Sequence, residues 1–236
     1  MQETVRKKPL WCRITKWCCI GVLGLVGAVM LLAAILWGNE VLTILSMKEL
    51  RPAVAEHHDG AVYYMDVRGG FYLDDLLKQG GVKSEKELAN FLIAKITKGF
   101  VNELELAASE FGCAAFTATT TGGDALFARN YDFYETNTCI VRTYARKGRH
   151  ATISTTDLSF AGKQLKDGVQ GIADKVLCLT APYITLDGIN DAGVSCCINM
   201  SYQGGGEGGT AKATNQNTEK PDMTSTLMLR MILDYA

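Results

Sequence analysis

The sequence predicts an α+β protein that follows an N-terminal apolar helix. Three observations lead there: an uncharged run of 20 residues near the start, one well-capped amphipathic helix further on, and then six short apolar segments separated by turns. The 236 residues allow one domain of ordinary size plus appendages, and 47% hydrophobic with 21% charged residues is a globular balance. Lys plus Arg (24) against Asp plus Glu (25) leaves a net charge of -1, which gives no reason to expect a nucleic-acid partner.

The charge is uneven only at the N-terminus, where Arg6, Lys7, Lys8, Arg13 and Lys16 face a single acid, Glu3. Directly behind them lies CCIGVLGLVGAVMLLAAILW, Cys18 to Trp37, without a charge. As a helix, such a run covers roughly 30 Å, the thickness of a bilayer's hydrocarbon core. Trp17 and Trp37 bracket it at interfacial depth, and the basic flank predicts a cytosolic N-terminus. A cleaved signal peptide is the rival reading, but AAILWG puts bulky residues where a small-x-small site would fall. The expected order is a cytosolic basic tail (1–17), a single-pass cell-membrane anchor (18–37) and an extracytosolic remainder.

Residues 39–60, with Pro52 and the polar EHHDG, read as a membrane-proximal linker. His57–His58 lacks nearby carboxylate spacing and reads as solvated loop rather than metal site. AVYYMDV (61–67) has strand character, and a short helix is expected before Gly80–Gly81. SEKELANFLIAKITKGF is the best-signalled helix: Ser84 and Glu87 make a capping box, Leu88, Phe91, Leu92 and Ile96 share a face, and Gly99 ends it.

From Cys113 the character changes to strands. CAAFTAT and ALFARN form a hairpin about Gly122–Gly123–Asp124, CIVRTYA and ATISTT pair around RKGRH, and PYITLDG pairs with GVSCCINM. Six strands with little helix between them predict an antiparallel sheet. The loop at 203–221 satisfies G-x-G-x-x-G at Gly204, Gly206 and Gly209, but no apolar-faced helix follows, so a dinucleotide site is rejected. TSTLMLRMILDYA reads as a helix with Leu227, Met228, Met231 and Ile232 on its apolar face and no C-cap, the pattern of an incomplete domain.

Eight cysteines are present, three at the edge of the apolar run and five beyond it. There is no Cys-x-x-Cys pair, so four-ligand zinc spacing is absent. In an oxidising compartment Cys139, Cys178 and one of Cys196–Cys197 are candidates for disulfides; an odd total of five leaves one thiol free, a place Cys113 would fit. The vicinal pair points to opposite faces of its strand and reads as packing.

A thiol nucleophile needs a base, and no histidine here has a convincing setting. An N-terminal cysteine would carry its own: an α-amine titrates near 7.7–8.0, so it accepts the thiol proton around neutral pH. That requires cutting between Gly112 and Cys113, and Gly112, lacking a Cβ, leaves its carbonyl open to the neighbouring sulfur. Arg129 and Asp132 lie on the returning arm of the hairpin that Cys113 begins; the first suits a thiolate, the second a freed amine. The plainer alternative is a surface Arg–Asp pair and a buried cysteine.

GCAAF, LFARNYDF and DGINDAGVSCCIN, taken in order, resemble the choloylglycine hydrolase family of linear-amide hydrolases, which includes bile salt hydrolases and penicillin V acylases. The resemblance covers roughly residues 111–235 and implies an N-terminal-nucleophile αββα sandwich, here incomplete. It implies Cys113 as nucleophile, Arg129 and Asp132 as supports for thiolate and amine, and Asn199 as oxyanion-hole donor. Asn130 reads as a brace of the hairpin. Bile salt hydrolases carry the nucleophile directly behind the initiator methionine. Here 112 residues precede it, as in the proenzyme members and acid-ceramidase-like hydrolases, so 38–112 becomes linker and prosegment and 113–236 the first part of the hydrolase domain.

The expected protein is therefore a membrane-anchored, self-processing cysteine amidase acting on a small-molecule N-acyl amide, with no metal or organic cofactor implied. Its rival is a non-catalytic anchored ectodomain. Bile salts, penicillins, fatty amides and acylated signals are not distinguished by these residues.

Overall fold

The computed structural model describes residues 10–57, 59–82, 84–101, 112–132, 136–199 and 223–236. The glycine-rich loop at 203–221 and His58 lie outside them. Two compact units divide the chain, Met1–Gly38 and Asn39–Ala236.

Helix α1 (Leu10–Ser46) is longer than the predicted anchor. NEVLTILS carries no glycine or proline, so nothing stops the helix at Trp37, and the first part of the expected linker is helical. From Thr15 to Ser46 it is long and apolar enough to cross a membrane, a property shared by signal sequences. Leu23, Leu31 and Ile35 are about two-thirds exposed; an all-round apolar helix of this kind lacks the polar stripe of a water-facing one.

The second unit begins with the end of that helix. Thr43 Oγ1 accepts from the Arg68 amide at 2.8 Å and Ser46 Oγ from the Asp66 amide at 2.9 Å. Strands β1 (Lys48–Arg51) and β2 (Val62–Asp66) follow, then α2 (Leu73–Lys78) and α3 (Glu85–Ile96). The Ser84 hydroxyl caps α3 by accepting from the Glu87 amide at 3.2 Å, and Gly99 leaves it with φ +87°. Leu88, Leu92 and Ile96 are buried as the periodicity predicts, against Leu73, Leu76, Tyr183 and Leu227, with Phe91 packed alongside.

Strands β3 (Gly112–Thr119) and β4 (Ala125–Asp132) form the expected hairpin, but as a separate two-stranded sheet. β5 (Thr138–Thr143), β6 (Thr152–Asp157), β7 (Asp187–Asn190) and β8 (Ser195–Cys197) join β1 and β2 in a six-stranded sheet of order β1-β2-β5-β6-β7-β8. The six expected strands, β3 to β8, pair antiparallel with one another but divide between two sheets. β2 runs parallel to β5, and residues 67–137 supply the long connection that parallel pairing needs. Helix α4 (Ile172–Leu177) and 3-10 turns, one of them Cys178–Tyr183, fill the gap between β6 and β7, so PYIT is not strand.

The sheet has two different faces. Tyr63, Met65, Cys139 and Val141 pack with Leu158, Leu165 and Cys178 in the main core. α5 (Ser225–Tyr235) lies on the same face: an added Cβ at Gly188 would stand 2.8 Å from Leu233 Cδ1 and from the Ile153 carbonyl. The β3–β4 hairpin covers part of the opposite face, so helix, sheet and hairpin form layers.

α5 buries a different set from the one its pattern predicts. Leu227, Leu229, Arg230, Leu233 and Asp234 are buried, while Met228 is half exposed. The charges are tolerated because Arg230 donates to Asp234 at 2.5 Å and to Thr152 Oγ1 at 2.8 Å, with Phe71's ring beneath its guanidinium. The helix is also capped after all: Asn190 Nδ2 donates to the Leu233 and Ala236 carbonyls at 3.1 and 2.8 Å.

Candidate functional site

Cross-strand register explains how Cys113 meets an arginine. Ala115 lies opposite Arg129, and Cys113, two residues earlier on the same face of β3, is its diagonal neighbour. A long side chain bridges that diagonal. Arg129 Nη2 lies 3.0 Å from Cys113 Sγ, placed to stabilise negative charge on the sulfur. The Arg129 side chain is only 4% exposed, and Cys113 is half-buried.

That buried cation is held from the other sheet. Arg129 Nη1 donates to Asp187 Oδ2 at 2.9 Å, and Nη2 also donates to the Ile198 carbonyl at 2.8 Å. Thr155 Oγ1 donates to Asp187 Oδ1 at 2.7 Å, so both carboxylate oxygens are engaged. Arg129 Cζ stacks 4.9 Å from the Tyr131 ring centre. Its Nε is buried without a partner among the described residues. Asp187 opens the DGIN motif, yet the sequence assigned it no part. Its only early signal was a carboxylate at the edge of an apolar strand.

Next to Arg129 is a cavity of about 290 Å3, lined by Phe127, Tyr131, Thr138, Thr155, Asp157 and Asp187 among others. Tyr131 donates to Asp157 Oδ2 at 3.1 Å, and Asp157 Oδ1 accepts from the Ser159 amide at 2.8 Å. Burial pushes the Asp157 carboxyl up, with the Ser159 and Tyr131 hydrogen bonds opposing. Burial and the Asp157 charge together push the Tyr131 phenol far above its ordinary range. The arginine joins this cavity to Cys113, which is not itself among the lining residues.

The other sequence-predicted residues fall nearby. The backbone of Asp132 stands opposite Gly112, the residue before the cysteine, while the Asp132 side chain lies outside the described residues. Asn199 is exposed just beyond β8 and accepts from the Cys197 thiol at 3.6 Å. Asn130 is exposed on the hairpin's outer face, opposite Ala114. His150, the histidine whose side chain is described, contacts Asp191 at 2.6 Å on the surface.

All the described cysteines are free thiols. Cys139 and Cys178 are fully buried in the main core, and burial pushes the Cys178 thiol up to about 12. Cys196 and Cys197 diverge as expected. Cys196 faces α5, its sulfur 4.0 Å from the Leu229 carbonyl, and burial pushes it up to about 11. Cys197 is paired with Asp187 and so lies on the sheet face that meets Arg129.

No family model, curated protein or solved structure matches the chain.

Proposed function

We propose that this protein is a membrane-anchored cysteine amidase that cuts its own chain between Gly112 and Cys113 and then hydrolyses a linear C–N amide of an N-acyl substrate. The observation that carries the reading is the 3.0 Å contact between Cys113 Sγ and a buried, carboxylate-paired guanidinium. A structural surface pair would expose both partners and leave the thiol alone.

In the first reaction the Cys113 sulfur attacks the Gly112 carbonyl carbon. The C–S bond forms, the C–N bond breaks, and the departing nitrogen becomes the Cys113 α-amine. Water then cleaves the thioester to leave a Gly112 carboxylate and a free thiol. In turnover that amine accepts the thiol proton as sulfur attacks the substrate amide and returns it to the leaving amine, and water then releases the acyl group from the thioester as an acid and restores the thiol. Asp132, opposite Gly112 in the backbone register, orients the amine. Asn199 provides the oxyanion donor, and removing such a donor costs about 10²–10³ in rate. The cavity beside Arg129 receives part of the substrate, and its Thr, Tyr and Asp lining favours a compact polar group there. The apolar part of α1 anchors the protein with its basic end in the cytosol.

The test is N-terminal sequencing and intact mass of the full chain made in a membrane host. A fragment beginning Cys-Ala-Ala-Phe that is missing from Cys113→Ala supports the reading. A wild-type chain that stays whole while folded would overturn it and favour a non-catalytic ectodomain.

A further inference from the structure

We propose that Cys113 and Cys197 form a reversible thiol pair, in which Cys197 resolves oxidised Cys113 as an intramolecular disulfide. The two residues come from different sheets, and Arg129 brings them together. One nitrogen, Nη2, lies 3.0 Å from Cys113 Sγ and 2.8 Å from the carbonyl of Ile198, the residue after Cys197. Laid end to end, those contacts keep the sulfur within about 6 Å of that carbonyl. Cys197 is the register partner of Asp187, and directly opposed residues share a face. Asp187 holds the same guanidinium at 2.9 Å, so Cys197 projects toward the arginine that touches Cys113.

Exposure separates this pair from Cys139 and Cys178, and orientation separates it from Cys196. Cys113 and Cys197 are half-exposed, whereas Cys139 and Cys178 are fully buried and Cys196 faces α5. The electrostatics agree with the geometry. Burial pushes the Cys197 thiol up, the Arg129 cation pulls it back, and negative charge on Asp187 and Cys113 raises it again. A second thiol on the sheet face that holds the guanidinium touching Cys113 is the arrangement of a reactive cysteine with a resolving partner.

The oxidant is a peroxide. The Cys113 sulfur attacks a peroxide oxygen: the S–O bond forms, the O–O bond breaks, hydroxide takes a proton and leaves as water, and the sulfur is oxidised to a sulfenic acid. The Cys197 sulfur then attacks that sulfur. The S–S bond forms, the S–O bond breaks and a second water leaves, so two thiols and one peroxide become a disulfide and two waters. A dithiol reductant restores both thiols by exchange. Disulfide geometry requires Cα atoms within roughly 7 Å, so Arg129 withdraws from the sulfur as the bond closes. The consequence for catalysis, a masked nucleophile, rests on the amidase reading; the bond itself does not.

The experiment treats the full-length wild-type chain in membranes with hydrogen peroxide, blocks free thiols, and maps peptides without reductant by mass spectrometry. The expected product is a peptide linked through Cys113 and Cys197, lighter by two hydrogens and lost on dithiothreitol treatment. In Cys197→Ser the link disappears and dimedone captures Cys113 sulfenic acid. Cys113 oxidised to sulfinic acid in wild type with Cys197 still blocked as a free thiol, or Cys113 linked to a different cysteine, would overturn the proposal. The wild-type map decides alone if the variant misfolds. Because the link is read in cut and uncut chains alike, failure of processing at 112–113 sinks the amidase reading without touching this one.

Discussion

Arg129 and Asp187 join the hairpin to the large sheet through a 2.9 Å ion pair whose side chains are 4% and 18% exposed. Because the guanidinium also touches Cys113, this pair sets both the stability of the layer contact and the position of the sulfur's cationic partner.

Removing one half of that pair strands a buried cation. Asp187→Ala is expected to lower unfolding stability by about 3 kcal/mol, read from urea unfolding midpoints. A loss below about 1 kcal/mol would mean that the guanidinium is reached by water and that its contact with Cys113 is loose.

If the proposed cut at 112–113 occurs, the β2–β5 pairing is expected to hold the two fragments together. β2 lies between β1 and β5, pairing with β5 from Val62↔Thr138 to Asp66↔Arg142, and Ala61, Tyr63, Met65 and Val67 sit in the main core. The two processed fragments are expected to remain together in mild detergent and to separate only in denaturant. Recovery of the Cys113 fragment in the soluble phase without denaturant would contradict the β2–β5 pairing.

Asp157 makes stability fall as pH rises. Its folded-state pKa is raised, chiefly by burial, so the native state holds the proton longer than the unfolded chain. That contribution is fully present below the unfolded value of about 3.9 and is lost as pH climbs through the folded value. Asn keeps the acceptor for the Ser159 amide, so Asp157→Asn is expected to match wild type at low pH and exceed it at neutral pH. Denaturation midpoints compared across that range check the sign; a variant less stable at neutral pH would refute it.

Asn190 serves β7, the turn behind it and α5 at once. Oδ1 accepts from the Ala192 and Val194 amides at 3.1 and 2.9 Å, while Nδ2 caps α5. Asn190→Ala is expected to cost about 2 kcal/mol in thermal or urea unfolding. Little change would show that the turn and helix end re-satisfy their groups from solvent.

Gly188 is a packing requirement. Its added Cβ would approach the Ile153 carbonyl and Leu233 Cδ1 at 2.8 Å each, so Gly188→Ala crowds the β6 backbone and makes the Leu233 side chain shift. The expected cost is about 1–3 kcal/mol, visible as a lower Tm.

Local chemistry was legible in the sequence alone. The Ser84 cap, the Gly99 stop and the buried stripe of α3 depend on neighbours within one helix. The Cys113–Arg129 contact depends on one hairpin whose turn and alternation are both written in the chain. What lay beyond its reach were pairings between distant segments. Arg129 finds Asp187 58 residues on and the Ile198 carbonyl 69 residues on. β2 runs beside β5 across a long connection, and α5 buries Arg230 with its Nη2 donating to Asp234 and Thr152. Periodicity reports which face of an element is apolar; it cannot report that a charge is buried because a partner from another strand meets it. The sequence thus determined α3, the β3–β4 hairpin and its cysteine–arginine diagonal, and tertiary packing decided the carboxylate, the cavity and the second thiol around them.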